Sequence, residues 1–231
     1  MDATRLSPKT AWSQALGMTF VAWIVLGVGC FNVGTAWVFR QWGDSVQGAF
    51  ILGLLFCVGA VILIGIVFAL RRREGEDFTA LGLRTKAGTK VWIIAIIFGL
   101  LWASMTYLRG ADPFEWTWQR PIMMLLGPVL AFGEEITFRG FILNRLHRAN
   151  VSKWIQVLFT GLTMATYHSF IAWTFFPEAF IFSAIVFSVL SILYIAGNRS
   201  LLPPLVAHSL VHVLGDPELM RGILVVLTLV H

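Results

Sequence analysis

The sequence predicts an all-α membrane protein, a polytopic bundle of six to eight transmembrane helices enclosing a polar cavity. Three observations predict it. Of the 231 residues, 58% are hydrophobic and 13% charged, with a mean hydropathy of +0.80, which is outside the range of soluble domains. Apolar runs of roughly 20 residues, long enough to cross a bilayer, recur between charged or Pro/Gly-rich breaks. Lys and Arg concentrate on alternate breaks. The polar loops are too short for a separate soluble domain, so residues 1–231 read as a single membrane-embedded domain.

The first span, Ala15 to Phe39, is an apolar run of about 25 residues, too long for a signal-peptide core of about 7 to 15, and is expected to stay as a helix. Val46 to Leu70 follows and ends at Arg71-Arg72-Arg73. Val91 to Leu108, Pro121 to Leu146, Trp154 to Phe176 and Glu178 to Ala196 complete the long runs. Two shorter runs, Leu201 to Leu214 and Leu219 to Val230, are expected to be partial or re-entrant. Pro203-Pro204 interrupts the start of one, and Asp216-Pro217-Glu218 separates the two.

With the N-terminus inside, the inner breaks hold Arg5, Lys9, Arg71, Arg72, Arg73, Arg84, Lys86, Lys90, Arg145, Arg148, Lys153 and Arg199, and the outer ones only Arg40, Arg109, Arg120 and Arg221. That asymmetry orients the chain with a cytoplasmic N-terminus, and the expected location is a prokaryotic plasma membrane. Cytoplasmic loops facing anionic lipid account for the net charge of +5 without a nucleic-acid partner. Trp116 and Trp118, beside Glu115 and Arg120, read as an interfacial aromatic belt. Cys30 and Cys57 fall inside spans without metal or redox spacing and read as packing residues, not a disulfide. The glycosylation patterns at Asn150 and Asn198 fall on inward loops and read as chance matches.

The fourth span carries the chemistry. Gly133-Glu134-Glu135-Ile136-Thr137-Phe138-Arg139-Gly140 sets three ionised groups into apolar surroundings, each costing at least a few kcal/mol at mid-membrane, which asks for partners and a purpose. Glu135 and Arg139 are four apart with the acid first, the favourable order for an intrahelical pair. Glu134 points about 100° away and is left without a partner on its own helix. One reading is a polar patch that locks helices together. Other spans carry further polar groups: His168 in the fifth, and His208 and His212 one turn apart in the seventh. From the predicted cytoplasmic ends, the helix rise puts Glu134 about 18 Å deep, His168 about 21 Å, and His208 and His212 about 12 to 18 Å. All four can share one level. A carboxylate beside an imidazole in a partly dry cavity is suited to activating water, and His208 with His212 on one helical face can stabilise a developing oxyanion.

These residues carry a resemblance. Glu134-Glu135-x-x-x-Arg139 with Gly140-Phe141, a lone His168 in the next helix, then Pro203-Pro204-x-x-x-His208-x-x-x-His212 resembles the CPBP family of intramembrane glutamic endopeptidases. The family is also called ABI and includes the Ras-converting CAAX endopeptidases. The match covers a catalytic core of about residues 121–214, and the preceding helices carry no motif. The resemblance implies that Glu134 activates the hydrolytic water with His168 as partner, that Glu135 and Arg139 support the site, and that His208 binds the oxyanion together with the group one turn later. It implies a membrane-anchored or lipidated protein or peptide substrate and no cofactor. Oligomeric state is left open. Two positions depart from the family pattern. Met164 stands where Phe is usual, an exchange of one apolar filler for another. His212 stands where Asn or Asp is usual, and a histidine differs in reach and charge.

Two alternatives remain at this level. His208 and His212 at i and i+4 have the spacing of a zinc pair that His168 or Glu134 could complete, although Ser209 occupies the place where a His-Glu-x-x-His motif carries its glutamate. A non-catalytic immunity factor, scaffold or small transporter would use the buried charges for packing or proton passage.

Overall fold

The computed structural model describes residues 5–76, 78–83, 86–108 and 117–228. Arg84, Arg109, Glu115 and Trp116, used above for sidedness and the aromatic belt, lie outside the described residues, as do residues 229–231. Eight helices follow one another among the described residues: α1 Pro8–Trp42, α2 Val46–Arg73, α3 Thr89–Leu108, α4 Gln119–Arg148, α5 Lys153–Ser169, α6 Pro177–Ala196, α7 Leu202–Gly215 and α8 Glu218–Thr228. Five of them, α1 to α4 and α6, are long and apolar enough to cross a membrane. The protein is an integral multi-pass membrane protein.

Local signals set the helix starts. Ser7 accepts the Thr10 N–H at 3.1 Å with Pro8 in the first helical turn, and Ser45 accepts the Gly48 N–H at 3.1 Å, so each cap satisfies one orphan donor. Asn150 and Asn198 adopt left-handed backbone, φ 56° at both, just after α4 and α6, where asparagine is among the tolerated helix terminators. The doubtful last runs form α7, 14 residues, and α8, 11 residues. At 1.5 Å per residue neither covers the roughly 30 Å hydrocarbon core.

Two features depart from the sequence reading. Helices α1 and α4 are wound as π-helix over Trp23–Gly34 and Ile136–Leu143. Side chains follow the wider turn in α1: Asn32 Nδ2 donates to Gly27 O at 2.8 Å and Thr35 Oγ1 to Cys30 O at 2.9 Å, both five residues back. The fifth span also stops early. Instead of continuing to Phe176, α5 ends at Ser169 and the chain turns back as a hairpin of β1 Phe170–Ile171 and β2 Thr174–Phe175. Ala172 and Trp173 form its turn with φ of 48° and 70°. Hydropathy cannot distinguish this run from helix. The turn is held because α1 offers acceptors: Ala172 N–H donates to Phe31 O at 2.9 Å and Trp173 N–H to Asn32 Oδ1 at 2.5 Å.

The packing brings α4 into the centre. It lies against α2 and α7, while α7 also packs on α3, α5 on α6, and α8 on α2. Gly133 makes the α2 contact possible, since a Cβ there would stand 2.5 Å from Ala60 Cβ and 2.7 Å from Ala60 Cα. Such close approach through small residues is how membrane helices gain packing energy without a hydrophobic driving force.

One end of the bundle is basic but not simply lipid-facing. Arg71 and Arg145 are buried and form ion pairs with Glu74 and Glu76: Arg71 with Glu76, and Arg145 with Glu74 and, at 3.1 Å, with Glu76. Arg148 joins Glu76. These charges tie the C-terminal ends of α2 and α4 together, a structural use that their loop positions did not announce.

Candidate active site

Glu134 and Glu135 are both buried at the middle of α4. Arg139, one turn on and also buried, donates from Nη1 to Glu135 Oε1 at 3.0 Å and from Nη2 to Phe187 O on α6 at 2.6 Å. Its Nη1 also lies 3.0 Å from Met164 Sδ, so the methionine at this position supplies a weak acceptor as well as apolar volume. A buried guanidinium without a carboxylate would be prohibitive, and the pair with Glu135 offsets part of that penalty.

Glu134 meets imidazoles from two other helices. His168 Nε2 on α5 lies 3.8 Å from Glu134 Oε1, and His208 Nε2 on α7 lies 3.8 Å from Glu134 Oε2. Both distances are too long for direct hydrogen bonds and short enough for strong electrostatic coupling. Glu134 Oε2 has no hydrogen-bond partner among the described residues. His168 Nδ1 lies 2.8 Å from Met164 O. A carbonyl can only accept, so Nδ1 carries the proton and neutral His168 turns the lone pair of Nε2 toward Glu134.

His208 and His212 are arranged alike. His208 Nδ1 is 3.0 Å from Glu135 Oε1, and His212 Nδ1 is 3.0 Å from Asp216 Oδ2. Glu135 therefore serves Arg139 and His208 together, where the helical spacing had assigned it to Arg139 alone. The His208 ring stacks on Trp102 of α3, with centroids 5.3 Å apart and planes at 23°, and its centroid is 5.3 Å from that of His212. Gly127 of α4 presses directly on the Cβ of His212, leaving no room for a methyl, so the backbone carrying this histidine is held tightly against α4.

These groups lie at the bottom of a cavity of about 670 Å³, with Glu134, His168, His208 and His212 in its lining and Phe31, Phe56, Trp102, Leu130, Phe182 and Phe187 among its apolar walls. An aromatic-walled cavity with a few convergent polar groups is the usual form of a small-molecule or peptide site. The lining residues include Phe56 in the first half of α2, Leu130 in the first half of α4, and Trp102 and Thr106 in the second half of α3, whereas Arg71 and Arg145 sit at the last turns of α2 and α4. The cavity thus occupies the half of the bundle away from the buried arginines.

Two neighbours were not singled out by sequence reasoning. Tyr167, fully buried beside His168, has a hydroxyl with no hydrogen-bond partner among the described residues and interacts electrostatically with Glu134. Its adjacency to His168 was the available signal. Asp216, also buried, had been read only as a break between the last two runs, although it stands four residues after His212, the spacing of a helical pair. Among the described residues no group of three or more His, Cys, Asp or Glu side chains is arranged to hold a metal ion.

Residues 113–214 match the family model described as type II CAAX prenyl endopeptidase Rce1-like. That segment is similar to a Rce1-like CAAX endopeptidase domain. It spans α4 to α7 and so contributes Glu134, Glu135, Arg139, His168, His208 and His212. Neither the curated proteins nor the solved structures include a match to this chain. The Rce1-like family supports an intramembrane protease activity.

Proposed function

We propose that this protein is an intramembrane endopeptidase of the glutamic type, in which Glu134 is the general base. One observation carries the reading: Glu134 is a carboxylate without a cationic partner on its own helix, 3.8 Å from imidazoles of two other helices, at the bottom of an apolar cavity. A water beside Glu134 and His168 gives its proton to the carboxylate as its oxygen attacks the peptide carbonyl carbon, while the Nε2 lone pair of His168 accepts the second hydrogen and orients the water. The carbonyl π electrons move to oxygen, and the resulting oxyanion is met by N–H donors from His208 and His212. Collapse of the tetrahedral intermediate breaks the C–N bond, and Glu134 returns the proton to the departing amine. Arg139 and Glu135 keep His208 in place.

The substrate in this reading is a membrane-anchored protein or peptide, with a prenylated C-terminal segment as the class the family description points to. The apolar walls suit a lipid-linked or hydrophobic chain entering from the bilayer. We also infer a cytoplasmic N-terminus, because the basic ends of α2 and α4 belong inside by the positive-inside rule. The cavity, in the other half of the bundle, then opens toward the opposite leaflet, and substrates meet the site from that side.

Glu134→Gln tests the mechanism, since it removes the base at nearly constant volume. Removal of a positioned general base costs about 10² to 10⁴ in rate. Cleavage of a membrane-anchored reporter should fall by that factor while expression and insertion stay normal. Undiminished cleavage by the variant would leave the buried charges to helix packing and sink the reading.

A further inference from the structure

We propose that Asp216 is a positioning residue for the proposed reaction: its carboxylate holds the Nδ1–H of His212 and thereby makes Nε2 of that histidine an oxyanion donor. The inference rests on the reading of the site as a peptidase. It starts from a difficulty at His212. An amide side chain donates a hydrogen bond whatever its surroundings, whereas a neutral imidazole carries one proton on either of two nitrogens and can present a lone pair to an oxyanion. A histidine does an amide's work only if something keeps one proton on Nδ1 and favours a second on Nε2.

Asp216 is placed to do both. Its Oδ2 lies 3.0 Å from His212 Nδ1, and its own N–H donates to His212 O at 3.0 Å, closing the last turn of α7. The side chain is 2% exposed and faces an apolar cleft bordered by Gly53, Cys57, Met123, Leu126, Gly127 and Leu130. Among the described residues its Oδ1 has no hydrogen-bond partner and His212 is the single group within ion-pair distance. A carboxylate so enclosed is costly unless a cation neighbours it, and His212 is the cation at hand. In this proposal His212 enters the attack step already carrying both ring protons, its Nδ1–H held by Asp216 and its Nε2–H turned to the oxygen on which negative charge develops. Glu135 stands in the same relation to His208, at the same 3.0 Å. Two carboxylate–imidazole pairs one turn apart therefore present two Nε2 atoms to one cavity. In the attack step no bond to His212 or Asp216 forms or breaks. The water proton goes to Glu134, and the carbonyl electron pair moves to the oxygen that the two Nε2–H groups meet.

Asp216→Asn keeps the shape and removes the charge. It should lower kcat by about 10- to 100-fold, less than outright loss of an oxyanion donor, with KM nearly unchanged. The same change in a His212→Asn background, where an amide donates without help, should cost less than roughly threefold. Equal losses in both backgrounds would reduce Asp216 to a structural prop and overturn the proposal, as would no loss with His212 intact. A second readout needs no activity. In detergent-solubilised protein labelled with ¹⁵N-histidine, the resonances absent from His212→Asn belong to His212. Nδ1 should be protonated in the unmodified protein and lose that preference in Asp216→Asn. An Nδ1 that is unprotonated, or indifferent to the substitution, overturns the proposal even if His212→Asn is inactive. Glu134→Gln in each background separates the two ideas: cleavage that survives it removes the peptidase reading itself, whatever the Asp216 comparison gives.

Discussion

Gly133→Ala is the sharpest perturbation available from packing alone, because it adds one methyl group next to Glu134 without touching any ionisable side chain. The new Cβ would stand 2.5 Å from Ala60 Cβ, 2.7 Å from Ala60 Cα and 2.9 Å from Ala60 O. Ordinary contact begins at 3.4 Å, so α2 and α4 must separate by about 0.5 to 0.9 Å at this crossing, and an alanine with its backbone has no rotamer through which to yield. Overpacking of this kind costs about 1–3 kcal/mol. The displacement is passed to Glu134, one residue on, and a misplacement near 1 Å can cost about 10²-fold in rate. Reporter cleavage and thermal unfolding in detergent measure both effects, with a larger fall in kcat than the loss of folded protein explains. Gly17→Ala is the control: nothing among the described residues lies within 4 Å of a Cβ there, and alanine in a helix is favoured over glycine by about 0.5–1 kcal/mol. A Gly133→Ala protein with unchanged activity and midpoint would refute the claim that this crossing positions the base.

Arg139→Met should destabilise the protein by about 3–5 kcal/mol, because it leaves the Glu135 carboxylate buried without its guanidinium. The double variant Glu135→Gln with Arg139→Met should regain much of that stability, read as the unfolding midpoint, yet stay slow, since His208 has lost its carboxylate. Full recovery of activity in the double variant would contradict the proposed role of the pair. Orientation can be read from single cysteines placed after replacement of Cys30 and Cys57, both buried free thiols. Gln41→Cys, exposed at the end of α1 on the cavity side, should react with a membrane-impermeant maleimide on intact cells, and Arg73→Cys should react only after permeabilisation. The opposite pattern would put the cavity on the cytoplasmic side.

Much of the site was legible because its signals are local. Three ionised groups in one apolar span are conspicuous wherever the span sits, and the four-residue spacing of Glu135 and Arg139 sets their pairing through helix geometry alone. The common depth of Glu134, His168, His208 and His212 followed from counting rise per residue along three helices. Met164 was legible only as volume; its sulfur contact with Arg139 needed α5 and α4 side by side. Asp216 went unnoticed because a Pro-flanked acid between two apolar runs reads first as a break.

The sequence by itself determined that this chain is a membrane bundle, where its long helices run, which end is basic, and which few polar groups had to find one another inside. Hydropathy and helical spacing are properties of neighbours in the chain, so they survive without knowledge of the fold. Only the tertiary structure decided that Glu135 joins His208 across 73 residues, that α5 ends at Ser169 in a hairpin held by Asn32, and that Arg71 and Arg145 are buried among Glu74 and Glu76. It also decided that the cavity occupies the half away from those arginines. Each of these depends on how far one helix slides and turns against another. That register is set by contacts such as Gly133 on Ala60 and Gly127 on His212, which no single segment contains.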